Sequence, residues 1–543
     1  MSIPGFALTA NDASSAGPLR PTPPVADDAL CPALLVLSAS LIISIAVGCG
    51  GNSSDTSSGR PRAAAQNSVD EETVRKLCSQ CHKFTEPDIL PQSEWRDRVS
   101  KMVTMPGYGN KVRQYVNPEA VVNWFIARAP KSLTLPVLDD TIDRGSLEFR
   151  VSKWSFPTRT DRDIVISNVQ LADLVAEERD GRLELIACDM RNGLIFVGHP
   201  DKSDVPLTRV ARVGHPARIQ VVDLDQDGLR DLLVADLGSF TAIDHNLGTV
   251  TWLQQQSDRT FRPVVLADSL SRVADARAAD FDGDGDLDLV VAEFGWRRTG
   301  RVLLLEHTGQ AGPPVRSSYR LKVLDQRHGT IHTPPIDLDG DGRLDFLALI
   351  AQEHEAVVAF MNKGSLTFEA HTLYQAPHPS WGSSGLQLVD LDQDGDVDAL
   401  VTNGDTMDDA QLKPGHGVRW LENTGGLNFR EHTLARLYGV HRAEACDIDD
   451  DGDLDVIAAG FVAEQKDGNR DTLLQTLKVP SILWIEQVHP GKFRPRALES
   501  HLCNHPTLTV GDADSDGDID IFVGNNTKSR SSSPVEFWQN TRR

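Results

Sequence analysis

The chain has 543 residues, a formal net charge of −24 from 54 basic and 78 acidic side chains, 40 % apolar residues and 6 % aromatics. The length calls for more than one domain, and the composition is that of a folded protein rather than a low-complexity chain. No basic stripe or patch accompanies the acidity, which excludes a nucleic-acid-binding surface.

In chain order, the first feature is an uninterrupted apolar and small-residue run at 34–47, LLVLSASLIISIAV. It has the length of a signal h-region and is short for a bilayer span. It ends at Ala46-Val47-Gly48-Cys49 and is followed by the Gly/Ser-rich stretch GGNSSDTSSGRPR, a flexible tether. The ending resembles a bacterial lipobox, whose cysteine is lipidated and heads the mature chain. That resemblance implies a lipoprotein-type signal or anchor over 1–49 and a linker over 50–69. It also implies an exported body, periplasmic or at the cell surface, held to a membrane by a lipid anchor. An uncleaved signal-anchor is the other reading of the same residues.

Residues 78–82 read Cys-Ser-Gln-Cys-His. C-x-x-C-H is the attachment signature of c-type haem: Cys78 and Cys81 would fix the porphyrin by thioethers, and His82 would ligate the iron. A zinc ribbon would need a second C-x-x-C, and a thioredoxin-like redox pair a βαβ context; neither is present. Trp95, Val99 and Met102 share one helical face. A second helix opens at Asn117-Pro118, carries Val121, Val122, Phe125 and Ile126, and stops at Ala129-Pro130. The segment 70–130 resembles small mono-haem cytochromes c, which implies a small all-α domain with haem c as covalent cofactor. Two patterns of that family compete for the distal ligand. W-x-x-x-V on a helix favours Met102, and an M-P-x-[FY]-G loop favours Met105; the balance leans to Met102. His/Met ligation would raise the potential relative to bis-His. Residues 131–146 read as a linker. Of the seven cysteines, Cys188, Cys446 and Cys503 read as buried thiols, with room for one pair.

From residue 147 the chain is repetitive. D-x-D-x-D-G-x-x-D occurs six times, with loop glycines 53 to 65 residues apart. The carboxylates are Asp223, Asp225, Asp227 and Asp231; Asp280, Asp282, Asp284 and Asp288; Asp337, Asp339, Asp341 and Asp345; Asp390, Asp392, Asp394 and Asp398; Asp447, Asp449, Asp451 and Asp455; Asp512, Asp514, Asp516 and Asp520. Alternate side chains of a tight turn converge, Gly at position 6 permits the bend, and convergent hard oxygens suit Ca²⁺, up to six ions in all. In the first loop the carbonyl of Leu229 joins the set. These carboxylates alone match the excess negative charge. An EF-hand would need flanking helices and Glu at position 12, where the first loop has Val234.

After every loop comes an apolar strand (LLVAD, LVVAE, FLALI, ALVTN, VIAAG, IFVGN), then an alternating or aromatic one (VTWLQ, VLLLE, VVAFM, VRWLEN, ILWIE, VEFWQN), and a fourth strand recurs after a Phe (FRPVVL, FEAHTL, FREHTL, FRPRAL). A degenerate copy precedes the six at Asp180-Gly181, with Ala176 in place of the first aspartate. Seven copies at this spacing predict a mainly β fold, a seven-bladed β-propeller over 147–543. The last copy lacks a fourth strand, and residues 147–154 supply one, closing the ring. These repeats resemble the FG-GAP/VCBS family, whose members include the integrin α-subunit propellers. The resemblance implies the fold and Ca²⁺ in the loops, and not one function.

Residues just upstream of each loop reach the opposite rim: His215, Arg218, His332, His441, Arg442 and His505. The loops after the second strands add Asp189, Glu293, Trp296, Arg297, His354, Asp405 and Asn525. Together they predict a polar funnel. The structural alternative is that such histidines only tie blades together. No G-x-S-x-G, H-E-x-x-H or phosphate loop occurs, so the sequence assigns no reaction. Three readings follow. One is electron transfer from the haem to a redox partner protein or small-molecule substrate, with the propeller as platform. The second is a propeller that captures a glycan or protein. The third is a propeller enzyme, an oxidoreductase or lyase acting on carbohydrate, with haem as electron acceptor.

Overall fold

The computed structural model describes residues 68–80, 82–104, 116–156, 163–174, 183–200, 205–309, 312–407, 409–465, 468–527 and 533–542. All belong to one compact unit, 63–543. The apolar run at 34–47, Cys49, Cys81, Met105 and the start of the degenerate loop lie outside the described residues. Among the described residues no helix is long and apolar enough to cross a membrane.

Three helices come first: α1 (Glu71–Cys78), α2 (Gln92–Thr104) and α3 (Pro118–Arg128). Asp70 caps α1 by accepting from the Thr73 amide, and Asn117 caps α3, whose first residue is Pro118. These are the residue types that satisfy orphan amides at helix starts. Trp95 and Phe125 stack at 4.0 Å between α2 and α3 and anchor a small core with Val74, Leu90, Val99 and Val121. The Trp95 indole donates to the Pro87 and Leu90 carbonyls, so its polar edge is buried satisfied.

The remainder forms seven antiparallel sheets arranged in a ring. Each blade has strands a to d from the axis outward. Blade 2 is typical: Pro216–Val222, Asp231–Asp236, Gly248–Gln255 and Phe261–Leu270. Blades 1, 3, 4, 5 and 6 begin at Ile164, Val273, Thr330, Ser383 and Val440. Blade 7 takes strands a to c from Thr507–Gly511, Asp520–Gly524 and Val535–Asn540. Its strand d is Phe149–Trp154, paired antiparallel from Phe149↔Asn540 to Trp154↔Val535. The ring therefore closes as its repeats predict. Strand b is buried along its whole length in every blade. The core lies between blades: Leu233 and Trp252 of blade 2, for example, pack with Ala276, Leu289 and Leu303 of blade 3.

The segment 131–146 is an ordered strap on blades 5 and 6. Leu135 and Leu138 join their shared core, the Leu138 amide donates to the Leu477 carbonyl, and Tyr438 donates its hydroxyl proton to the Pro136 carbonyl. Helix α4 (Arg470–Leu477) packs into the same cluster.

Candidate functional site

The a–b loops gather on one face. Position 6 glycine takes φ between 86° and 100° in all six acidic loops, a region closed to most side chains. Position 4 is also left-handed in all six, at Gln226, Gly283, Gly340, Gln393, Asp450 and Ser515. Four of these are not glycine, and the sequence pattern gives no warning of the strain they carry. The position-1 carboxylate shapes the turn: Asp223 accepts from the amides of Asp227 (3.0 Å) and Gly228 (2.9 Å). Ligand oxygens of Asp223, Asp225 and Asp231 come within 4.8 Å of one another, as do those of Asp280, Asp282 and Asp284, of Asp337, Asp339 and Asp345, and of Asp390, Asp392 and Asp398.

Positions 3 and 9 differ in what they touch. One carboxylate oxygen of Asp225, Asp392, Asp449 and Asp514 is buried with no hydrogen-bond partner. An anionic oxygen in that state needs a cation. Position 9 is tied to two backbone amides in five of the loops; in the other, Asp455 accepts from the Gln487 amide (2.7 Å) and leaves its second oxygen buried without a partner. Asp398 accepts from the amides of Leu391 (3.1 Å) and Asn423 (2.7 Å) and from the Trp420 indole (2.8 Å). Asp231, Asp345 and Asp520 make the matching pair of amide bonds. Burial pushes the position-9 carboxyls up, to about 6 at Asp231 and Asp398 and about 7 at Asp288, Asp455 and Asp520.

The opposite face holds a cavity of about 490 Å³ between the propeller axis and the helices. One wall is apolar: Leu77, Leu90, Trp95, Val99, Val103 and Val121, with Cys78, His82 and Met102 among them. Burial pushes the Cys78 thiol up to about 11. His82 Nδ1 lies 2.7 Å from the Lys83 carbonyl. A carbonyl only accepts, so Nδ1 carries a proton, which leaves Nε2 as the ring nitrogen turned to other partners. The helices dock onto the funnel through Arg98, 3.4 Å from Asp409, which also pairs with buried Lys413 at 2.9 Å.

The facing wall is the funnel floor. Arg218, His332, His441 and Arg442 line it. Arg218 Nη1 lies 3.1 Å from His332 Nδ1; a guanidinium only donates, so the imidazole proton sits on Nε2. Burial, then Arg218, pushes His332 down to about 3, and burial pushes His441 down to about 4. Burial opposes ionisation of Asp275, yet Arg277, His332 and Arg218 outweigh it and hold the carboxyl below the usual range. Arg442 pairs with Glu444 at 2.8 Å. Arg218, Arg277 and Arg442 thus face Asp275 and Glu444, and the floor carries an excess positive charge. Trp296, Arg297 and Asp405 line the same cavity.

Other residues expected in the funnel have structural duties. His505 is fully buried between Asn525 and Glu499. His215 turns its Nδ1 to the Met190 carbonyl at 2.8 Å. Asp189 is buried and braces its own turn through the Arg191 and Asn192 amides, and Glu293 pairs with Arg301. Cys188, Cys446 and Cys503 are buried and free, with no pair among them. Sequence reasoning missed Asp275, Glu355, Asp409 and Lys413. Glu355, Asp409 and Lys413 sit in b–c loops, where runs of ionisable residues such as Glu353-His354-Glu355 were the only signal, and Asp275 sits on the first strand of blade 3, where nothing marked it.

The FG-GAP-like repeat family matches residues 223–291 and 337–401. The chain therefore carries FG-GAP-like repeats, and it folds as a seven-bladed β-propeller. No curated protein matches it. Among solved structures, a catalytically inactive virginiamycin B lyase from Staphylococcus aureus with quinupristin is similar at 11% identity, covering 72% of this chain and 99% of that one with a TM-score of 0.44. A chain of the S. cerevisiae Dbp5 complex with Nup159 and Gle1 is similar at 10% identity, covering 75% and 99% with a TM-score of 0.40.

Proposed function

We propose that the chain is an exported, membrane-tethered c-type haem protein. Its calcium-binding propeller offers a docking or substrate platform, and electrons pass between the haem and the occupant of the funnel. One observation carries this reading: Cys78, His82 and Met102 open into the same cavity as Arg218, His332, His441 and Arg442. The residues fit the group. The cavity volume suits a cofactor, its helical wall is apolar apart from Arg98 and Lys101, and His82 holds its Nδ1–H on a backbone carbonyl as ligating imidazoles do. Cys78 and Cys81 would hold haem c covalently, His82 would be one axial ligand, and Met102 or Met105 the other. When bound, haem would supply a one-electron couple, and ligation by a methionine would raise its potential relative to two histidines.

The chain's own residues would do the rest. Arg218 and Arg442 attract an anionic group to the floor. His332, neutral and protonated at Nε2, offers it a hydrogen bond. In the acidic loops, the partnerless oxygens of Asp225, Asp392, Asp449 and Asp514 fit a bound Ca²⁺.

The test is a covalent haem stain and a redox spectrum of the full chain, matured in a haem-attaching host. The native chain should stain and show a reducible spectrum, and Cys78→Ala with Cys81→Ala should abolish the stain. An unstained native chain, or a stained double variant, would refute the assignment.

A further inference from the structure

Beside the cavity lies a group of side chains that neither the acidic loops nor the haem reading uses. We infer that His328, Glu353 and His354 form a site for a first-row transition-metal ion such as Zn²⁺. His328 sits in the connection from blade 3 to blade 4, and Glu353 and His354 in the b–c loop of blade 4. A ligand atom from each comes within 4.8 Å of the other two. His328 Nε2 is 2.9 Å from a Glu353 carboxylate oxygen, and the His328 and His354 rings meet edge to face at 5.3 Å. A His–Glu ion pair alone needs no second imidazole; two imidazoles and one carboxylate form a three-ligand set.

The donor chemistry separates this site from the acidic loops. Those are all oxygen and suit hard Ca²⁺, whereas imidazole nitrogen favours zinc, copper, nickel or iron. The scaffold is firm. The Ala351 amide donates to the Gly329 carbonyl at 2.8 Å, tying the two loops together, and the Gly329 amide donates at 2.8 Å to the Phe294 carbonyl in the b–c loop of blade 3. Gln375 donates from its side-chain amide to the His354 carbonyl at 2.6 Å. Gln352 and Glu355, on either side of Glu353-His354, hold left-handed backbone at φ 59° and 44°. Left-handed residues of this kind persist where the surroundings over-determine them, as at ligand clamps. All three side chains are half-buried, and Glu353 lines the cavity. Three protein ligands leave a coordination position for water or a cavity ligand, the arrangement of catalytic rather than structural zinc.

The experiment is a Zn²⁺ titration of the full chain by calorimetry in saturating Ca²⁺, with Co²⁺ absorption as a second readout. The expected result is one saturable Zn²⁺ equivalent, weakened at least tenfold in His328→Ala with His354→Ala, with the visible Co²⁺ bands lost. Glu353→Gln, nearly isosteric, should weaken binding while the chain still folds and melts cooperatively, which keeps the test valid if the double variant folds poorly. No saturable Zn²⁺ in the native chain, or full affinity in Glu353→Gln and in a folded double variant, would overturn the site.

Discussion

Within one acidic loop, two aspartates that look alike in the sequence do different work. Asp398 is tied to the Leu391 and Asn423 amides and the Trp420 indole, whereas Asp392 leaves a buried oxygen without a partner. Asp398→Ala strands three buried donors, each costing about 1–3 kcal/mol. It should lower stability in denaturant titrations with or without Ca²⁺. Asp392→Ala should lower it only when Ca²⁺ is present, because it removes a ligand and strands no buried donor, the Asp394 amide being held by Asp390. Equal losses for both in EDTA would show that the two share one role. The aspartates were legible as a cation loop because carboxylate spacing and a position-6 glycine are local properties. The latch at position 9 was not, since its partner Asn423 lies on strand c, far along the chain. Asp409 makes the same point, since nothing local marks it as the partner of both Lys413 and Arg98.

At the level of the element, the closing strand Phe149–Trp154 draws its stability from the other end of the propeller. Trp154 is buried in the core shared by blades 7 and 1, edge-on to Phe522. Trp154→Ala should cost about 3–5 kcal/mol, read from the unfolding midpoint. A variant that melts like the native chain would mean that the strand is dispensable. This strand was legible because the last repeat lacks a d strand and 147–154 has the right pattern. The helices were legible in part. Asn117-Pro118 marks the start of α3, and Trp95 and Val99 turn inward, but Met102 remains half-buried beside the cavity while Val103 takes the core position. The strap over 131–146 was unreadable as structure, because its hold rests on side chains of blades 5 and 6.

For the molecule as a whole, acidic loops on one rim and a cationic floor on the other separate stability from ligand binding. Chelation should lower the melting temperature, since an ion bound only to the native state stabilises it; an unchanged melt in EDTA would mean empty loops. The pH trend follows from the position-9 carboxyls. Burial raises them from the ordinary 3.8 to about 6 or 7 when no ion is present. A carboxyl raised on folding destabilises the native state above its raised value, and that penalty fades as pH falls towards the ordinary one. Buried His332 and His441 pull the other way below their ordinary 6.5, so the carboxyl contribution is read as a difference: in EDTA, lowering the pH from 8 to 5 should favour the native chain over Asp398→Asn, which has no carboxyl to protonate. In Ca²⁺ the trend should reverse, because protons compete with the ion. An identical pH response of the two chains in EDTA over that range would contradict the assignment. Docking of the helices onto the funnel was not legible, since it depends on Arg98 meeting a loop three hundred residues away. The circular layout also dictates an order of assembly. Strand d of blade 7 finds its partner only once Val535–Asn540 has been made, so this joint is the last to form. A product that stops short of it would present two unpaired edges, the sort of surface on which chains pair with one another and aggregate.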